Sequence, residues 1–262
     1  MSAATAGPAG RPLAGRLSRH GAAALCYVVV FVAAWEAYVR LADVPAFLLP
    51  RPESVWHATV QAEASGLLWP NFFYTLRNIV LGFAAGVLIG CVLGYALWSS
   101  RTFRELCAPY ITLLQAAPKI ALAPLLVLWF GLGAASQLAL ILLLSFFPIM
   151  VSMQLGLNSV TSDQVDLGRV LGMPRRRFFW TIQLPSCLPS LFSGAKISII
   201  DAMTGAFLAE YITARQGLGY LMVLGNSTFD SALLISAVLL TVMTGLLGFG
   251  IVTVAERALV KR

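Results

Sequence analysis

Apolar residues in this chain gather into long runs instead of alternating, and short polar intervals separate the runs. Six runs can be traced, over about 21–41, 71–98, 106–133, 136–157, 188–212 and 231–255. Each is comparable to the roughly 20 residues that a helix needs to cross the hydrocarbon core of a bilayer. The pattern predicts an all-α polytopic membrane protein with six transmembrane helices. The second run carries Gly82, Gly86, Gly90 and Gly94, each four residues from the next, on one helical stripe. Small residues at that spacing let two helix backbones approach closely in lipid. Pro109, Pro118 and Pro124 interrupt the third run. A broken helix at membrane depth is tolerated where protein or a water-lined cavity surrounds it.

The connections are read in the same way. Residues 1–20 are rich in Ala, Gly and Pro with Arg11, Arg16 and Arg19, which predicts a disordered basic tail ahead of a membrane domain over 21–262. The first apolar run is too long for the 7–15-residue core of a signal peptide, so an uncleaved first span is expected. Between the first two runs, Glu53 or Ser54 after Pro52 can start a short amphipathic helix. After the fifth run, Gly217-Leu218-Gly219 is expected to shape an outer turn.

The longest polar interval in the C-terminal two thirds runs from Asn158 to Pro189, with a loop expected over 158–187. It holds four arginines (Arg169, Arg175, Arg176, Arg177) and two aspartates, Asp163 and Asp166. Ser162 or Asp163 can cap a helix, and Val165, Leu167, Val170 and Leu171 give it an apolar face. Gly172-Met173-Pro174 breaks that helix, because glycine frees the backbone and proline removes a donor. A second short amphipathic piece with Phe178, Phe179 and Ile182 is expected to stop at Leu184-Pro185. The whole reads as a helix, a turn and a helix on the membrane surface, offering one face to a partner.

Composition agrees with the membrane reading. The 262 residues are 59% hydrophobic and 11% charged, against about 25% charged in soluble domains. The net charge of +7 is better explained by sorting of basic residues to cytoplasmic loops than by nucleic-acid binding. With six spans and the N-terminus inside, twelve basic residues fall on the cytoplasmic side and three (Arg40, Arg51, Arg215) outside. Both termini and the 158–187 loop are then cytoplasmic. Trp35, Trp69, Trp98, Trp129 and Trp180 lie near predicted span ends, as interfacial aromatics do. Cys26, Cys91, Cys107 and Cys187 form no C-x-x-C pair, and His20 and His57 are far apart. No metal site is expected.

Two ionisable residues stand deep in predicted spans, Lys119 and Asp201. A charge at the bilayer centre costs at least about 2.5–3.5 kcal/mol on insertion scales, so each needs a partner or water. Facing the bundle interior, as a pair or separately, they would line a path. A structural ion pair without substrate contact is the alternative. Gln115, Met203 and Thr204 join the candidate path by depth. Glu36 and Glu210 fall nearer the outer ends, where water can reach them, and Glu210 is counted with the path residues. Lys196 falls near an inner end and can snorkel.

The spacing inside the polar interval carries a resemblance. Gly172 is followed by nine residues and then Ile182-Gln183-Leu184-Pro185. This resembles the cytoplasmic loop of ABC-importer permeases, E-A-A, three residues, G, nine residues, I-x-L-P. Asp166, Leu167 and Gly168 stand at the E-A-A positions, the last two as departures. Other strings are similar to the same permeases: Leu49-Pro50-Arg51-Pro52, the segment Ala123 to Gly133, Leu191 to Ile199, and the segment around Glu210. The resemblance implies one half of a pore in a bacterial plasma membrane. It also implies a second permease copy as homodimer partner, two cytoplasmic ATPase subunits that hold the ATP and Mg, and an extracytoplasmic substrate-binding protein. Asp166, Leu167, Gly168, Gly172, Ile182, Leu184 and Pro185 would couple the pore to the ATPase. The strings look most like permeases for thiamine-pyrimidine precursors or riboflavin-like heterocycles, with sulfonate, taurine or nitrate permeases as the runner-up.

No catalytic constellation appears beside this. The chain lacks a Gly-x-x-x-x-Gly-Lys-Ser/Thr phosphate loop, so it is not expected to hydrolyse ATP or to bind a cofactor itself. An ion-coupled secondary transporter would have to work with Lys119 and Asp201 alone. A membrane-embedded enzyme would need several polar side chains converging at one interface, and none converge in the sequence.

Overall fold

The computed structural model describes residues 13–213 and 215–260, with side chains from residue 26 onward. Every element among them is helical. Helix α1 (Leu13–Leu41) begins inside the expected tail. Residues 1–12 of that tail lie outside the described residues, as do Lys261 and Arg262. Helix α2 (Pro52–Ala64) is the expected short helix, with Pro52 in its first turn, where a missing N–H costs nothing. Its Thr59 hydroxyl lies 2.7 Å from that of Ser236.

Then follow α3 (Leu68–Ser99), α4 (Arg101–Ala116), a 3₁₀ turn (Lys119–Leu122), α5 (Ala123–Phe130) and α6 (Ala134–Leu157). The polar interval contains α7 (Ser162–Val170) and α8 (Arg175–Phe178), and the chain ends with α9 (Leu184–Thr213), α10 (Leu218–Ser227) and α11 (Ser231–Leu259). Among the described residues four stretches are long and apolar enough to cross a membrane: α3, α6, the continuous Arg175–Thr213 and α11. The third apolar run differs from a simple span. Its two halves, α4 and Lys119–Phe130, meet at 90° and make at most a fifth crossing. The cause is local: Ala117, ahead of Pro118, is extended at φ −64°, ψ 134°, because a following proline disfavours the helical region.

Helices α3, α6 and α9 form the centre, and small residues set their separation. A Cβ on Gly90 would lie 2.6 Å from the Phe146 carbonyl oxygen, and one on Gly94 would lie 2.8 Å from that of Met150. Gly82 and Gly86 meet Ile141 and Ser145 in the same way. The glycine stripe is therefore the α3–α6 contact that its spacing predicted. Between α6 and α9, Gly156 packs on Cys187, Gly194 lies 2.8 Å in the same sense from the Pro148 carbonyl, and Gly205 lies 3.0 Å from the Ile141 Cα. Ile141 and Cys187 are fully buried in these seams.

Candidate functional site

Helix α7 is fixed at both ends by its own sequence. Thr161 caps it: its hydroxyl accepts the Gln164 amide at 3.4 Å, and the Gln164 side chain accepts the Thr161 amide at 3.1 Å. This reciprocal box satisfies two donors that a helix start leaves open. The expected caps, Ser162 and Asp163, are instead its first two helical residues. At the far end Gly172 takes φ +59°. The Met173 amide then reaches the Gly168 carbonyl at 2.9 Å and the Gly172 amide reaches that of Arg169 at 3.0 Å, which closes the last carbonyls.

The expected apolar face of α7 divides in two. Val165 turns inward and is half-buried, and Gly168 is buried. Leu167, Val170 and Leu171 turn outward, with Val170 84% exposed. Asp166 and Arg169 flank this uncovered patch as an ion pair at 3.2 Å. A Cβ on Gly168 would lie 2.6 Å from the Phe178 ring, so the glycine admits the ring.

The second piece does not stop at Leu184-Pro185. Helix α8 runs through a π-helical turn (Phe179–Gln183) straight into α9, giving 39 continuous residues from Arg175 to Thr213. Pro185 is the second residue of α9; the wider preceding turn has loosened the hydrogen-bond ladder there, so its missing N–H breaks little. Ile182 lies half-buried in the π turn, Leu184 is half-buried at the start of α9, and Pro185 is exposed.

The six candidate path residues do not meet in one cavity. Met203 and Thr204 share a cavity of about 200 Å³ with Phe207, Met222 and Thr241. Gln115 lines another of about 320 Å³ with Arg104, Gln154 and Asn158. Lys119, just past the α4–α5 bend, holds its ammonium 4.7 Å above the Phe147 ring. Asp201 is half-buried on α9 and not in ion-pair contact with Lys119. Lys196, expected to snorkel, pairs with Glu256 of α11 at 2.5 Å. Glu36 pairs with Arg40 one turn on.

Glu210 is the clearest departure. It was expected near water, yet it is fully buried. Its Oε2 accepts the Thr75 hydroxyl at 2.8 Å and the Gly219 amide at 3.1 Å. Thr75 accepts the Leu218 amide at 2.8 Å, and Asn71 accepts the Gly217 amide at 2.7 Å. Beside them Gln137 accepts from Asn78 at 2.8 Å and donates to Thr213 at 2.8 Å. The cluster ties the segment after α9 to α3, and the end of α9 to α6. Gly217, at φ +104°, leaves the Glu210 carboxylate the space that a Cβ would fill. Asn71, Thr75 and Asn78 are three and four apart in an otherwise apolar run, a polar stripe that signals such a cluster. Arg77 is a further charge inside a span, its guanidinium 5.2 Å from the Tyr74 ring.

Residues 86–262 match the model of a family described as binding-protein-dependent transport system inner membrane component. The riboflavin transport system permease protein RibX of Chloroflexus aurantiacus is 32% identical, over 87% of this chain and 85% of its own. The formylaminopyrimidine transport permease protein ThiX of Halalkalibacterium halodurans is 32% identical over 89% and 92%. The taurine transport system permease protein TauC of Escherichia coli is 31% identical over 79% and 77%. Among solved structures, an inward-facing MetNI methionine ABC transporter chain superposes with a TM-score of 0.59 at 19% identity, over 75% of this chain and 97% of that one.

Proposed function

The chain belongs to the family of inner-membrane components of binding-protein-dependent transport systems, and from that footing we propose that it forms half of the pore of an ATP-driven importer for a small polar nutrient. It is a multi-pass membrane protein and an ABC transporter permease. In the proposed assembly α1 is the first of six crossings and both termini are cytoplasmic. Two copies pair, two ATPase subunits dock from the cytoplasm with ATP and Mg, and an extracytoplasmic binding protein delivers the solute.

The observation that carries this reading is the uncovered patch of Leu167, Val170 and Leu171 on a helix capped at both ends. An apolar patch at spacings of three and four residues on a short rigid helix suits a groove on a partner. Closure of the ATPase pair would push this helix, and the bundle would change the side to which it opens. Asp166, Gly168, Gly172, Ile182, Leu184 and Pro185 shape and anchor the same loop. Lys119, Asp201, Gln115, Met203 and Thr204 are proposed to face the solute at the pore axis. Glu210 shapes the outer end from within the protein.

For the cargo, a thiamine-pyrimidine precursor or riboflavin-like heterocycle comes first, supported by the names of two relatives. A taurine-like sulfonate is the second reading, supported by a third. The test is to isolate the binding protein that co-purifies, identify its ligand, and measure ATP-driven uptake of that ligand into liposomes holding the full assembly. Uptake that proceeds without the ATPase subunits would overturn the importer reading.

A further inference from the structure

Building on the importer reading, we propose that Phe178 is the joint through which α7 displaces the membrane helices, and that Gly168 exists to seat its ring. Gly168 is the one buried residue of α7. A Cβ there would lie 2.6 and 2.7 Å from Cδ2 and Cε2 of Phe178. Carbon atoms in good contact stand about 3.5–4.0 Å apart, so an alanine would force the ring or the helix to move. The family pattern resembled above has alanine at this position. This chain has a glycine there and a large ring opposite, which together make a size-matched pair.

The far side of the ring leads into the membrane helices. Phe178 borders a cavity of about 370 Å³ with Tyr95 and Trp98 of α3, so its route to α3 runs along the chain to Phe179. Phe179 meets Tyr95 edge-on at 5.4 Å between centroids. Trp98 and Phe179 in turn pack on the buried Met153, Leu157 and Cys187. A push on α7 therefore enters the 39-residue helix that carries Phe178 itself, and reaches the end of α3 through Phe179. The other route between α7 and α8 is the covalent turn at Gly172-Met173-Pro174, whose glycine takes φ +59°.

The test uses the complete transporter in liposomes and reads solute moved per ATP hydrolysed. Gly168→Ala is expected to lower that ratio about tenfold, within the range by which residues along a coupling network act. Adding Phe178→Leu to Gly168→Ala is expected to restore it to within about twofold, since the smaller side chain makes room. Phe178→Ala alone, which keeps the glycine and removes the ring, is expected to lower the ratio while the ATPase still co-purifies. A purely structural contact would shift unfolding temperature and yield but leave the ratio alone. Full coupling in Gly168→Ala or in Phe178→Ala, or no recovery in the double variant, overturns the proposal. A wild-type assembly that takes up no solute with ATP overturns the importer reading instead.

Discussion

Gly219 donates its amide hydrogen to Glu210 across nine residues of chain, at 3.1 Å, with the carboxylate fully buried. That bond and the Thr75 bond on the same oxygen hold the segment following α9 against α3. Glu210→Ala leaves the Gly219 amide unpaired in the interior, a loss of about 1–3 kcal/mol. The expected outcome is a lower unfolding temperature in detergent. Gly217→Ala should do at least as much, because it adds a collision with the carboxylate to an unfavourable φ of +104°. Gly66→Ala, at φ +72° with open space around it, separates backbone strain from collision and should cost less. Equal losses at Gly66 and Gly217 would remove the collision from this account.

The α3–α6 seam makes a second prediction. Gly90→Ala places a methyl group 2.6 Å from the Phe146 carbonyl oxygen. Folded yield and thermal stability should both drop, by about 1–3 kcal/mol for overpacking. Gly250→Ala meets nothing within 4 Å inside α11 and should be neutral or stabilising by up to about 1 kcal/mol, from helix propensity. Comparing the two by size-exclusion profile and unfolding temperature checks the seam.

The outward patch of α7 should tolerate charge in isolation and fail in assembly. Leu167 is 54% exposed and Val170 84%, so Leu167→Asp and Val170→Asp should leave the purified subunit folded. Each should weaken capture of the ATPase subunits about tenfold or more, the scale of a central interface residue. Undiminished co-purification of the ATPase with both variants would place the docking surface elsewhere.

Lys119 and Asp201 offer a fourth prediction, on uptake. The Lys119 contact with Phe147 is worth about 0.5–2 kcal/mol, so Lys119→Met should fold. If both residues face the solute, neutralising either should cut ATP-driven uptake about tenfold or more while leaving ATPase docking intact. Normal uptake in the doubly neutralised protein would remove both from the path.

Four of the six expected spans, the glycine stripe and the turn at Gly172 were legible because each depends on residues near one another in sequence. Two features of the polar interval were legible but misassigned. Thr161-x-x-Gln164 is a capping signature, but the neighbouring Ser162 and Asp163 are equally good caps by residue type. Pro185 read as a stop, and only the π turn before it explains why the helix continues. The burial of Glu210 was not legible, because the atoms that enclose it come from Asn71, Thr75 and residues 217–219. No local pattern near Glu210 distinguishes a wet outer end from a sealed one. The prolines of the third run predict an interruption at Pro118, but not its 90° angle. The uncovered face of α7 could be expected from its spacing, whereas the Phe178 ring over Gly168 required the fold.

The glycine seams have a mechanical corollary. Where backbones touch with no side chain between them, as at Gly90, Gly94, Gly194 and Gly205, there is no compliant layer in which one helix could slip along another. Interfaces packed this closely are not continuously deformable. In any rearrangement the α3–α6–α9 block is then expected to move as one body, and the extended Ala117-Pro118 joint between α4 and α5 is where the chain has room to bend.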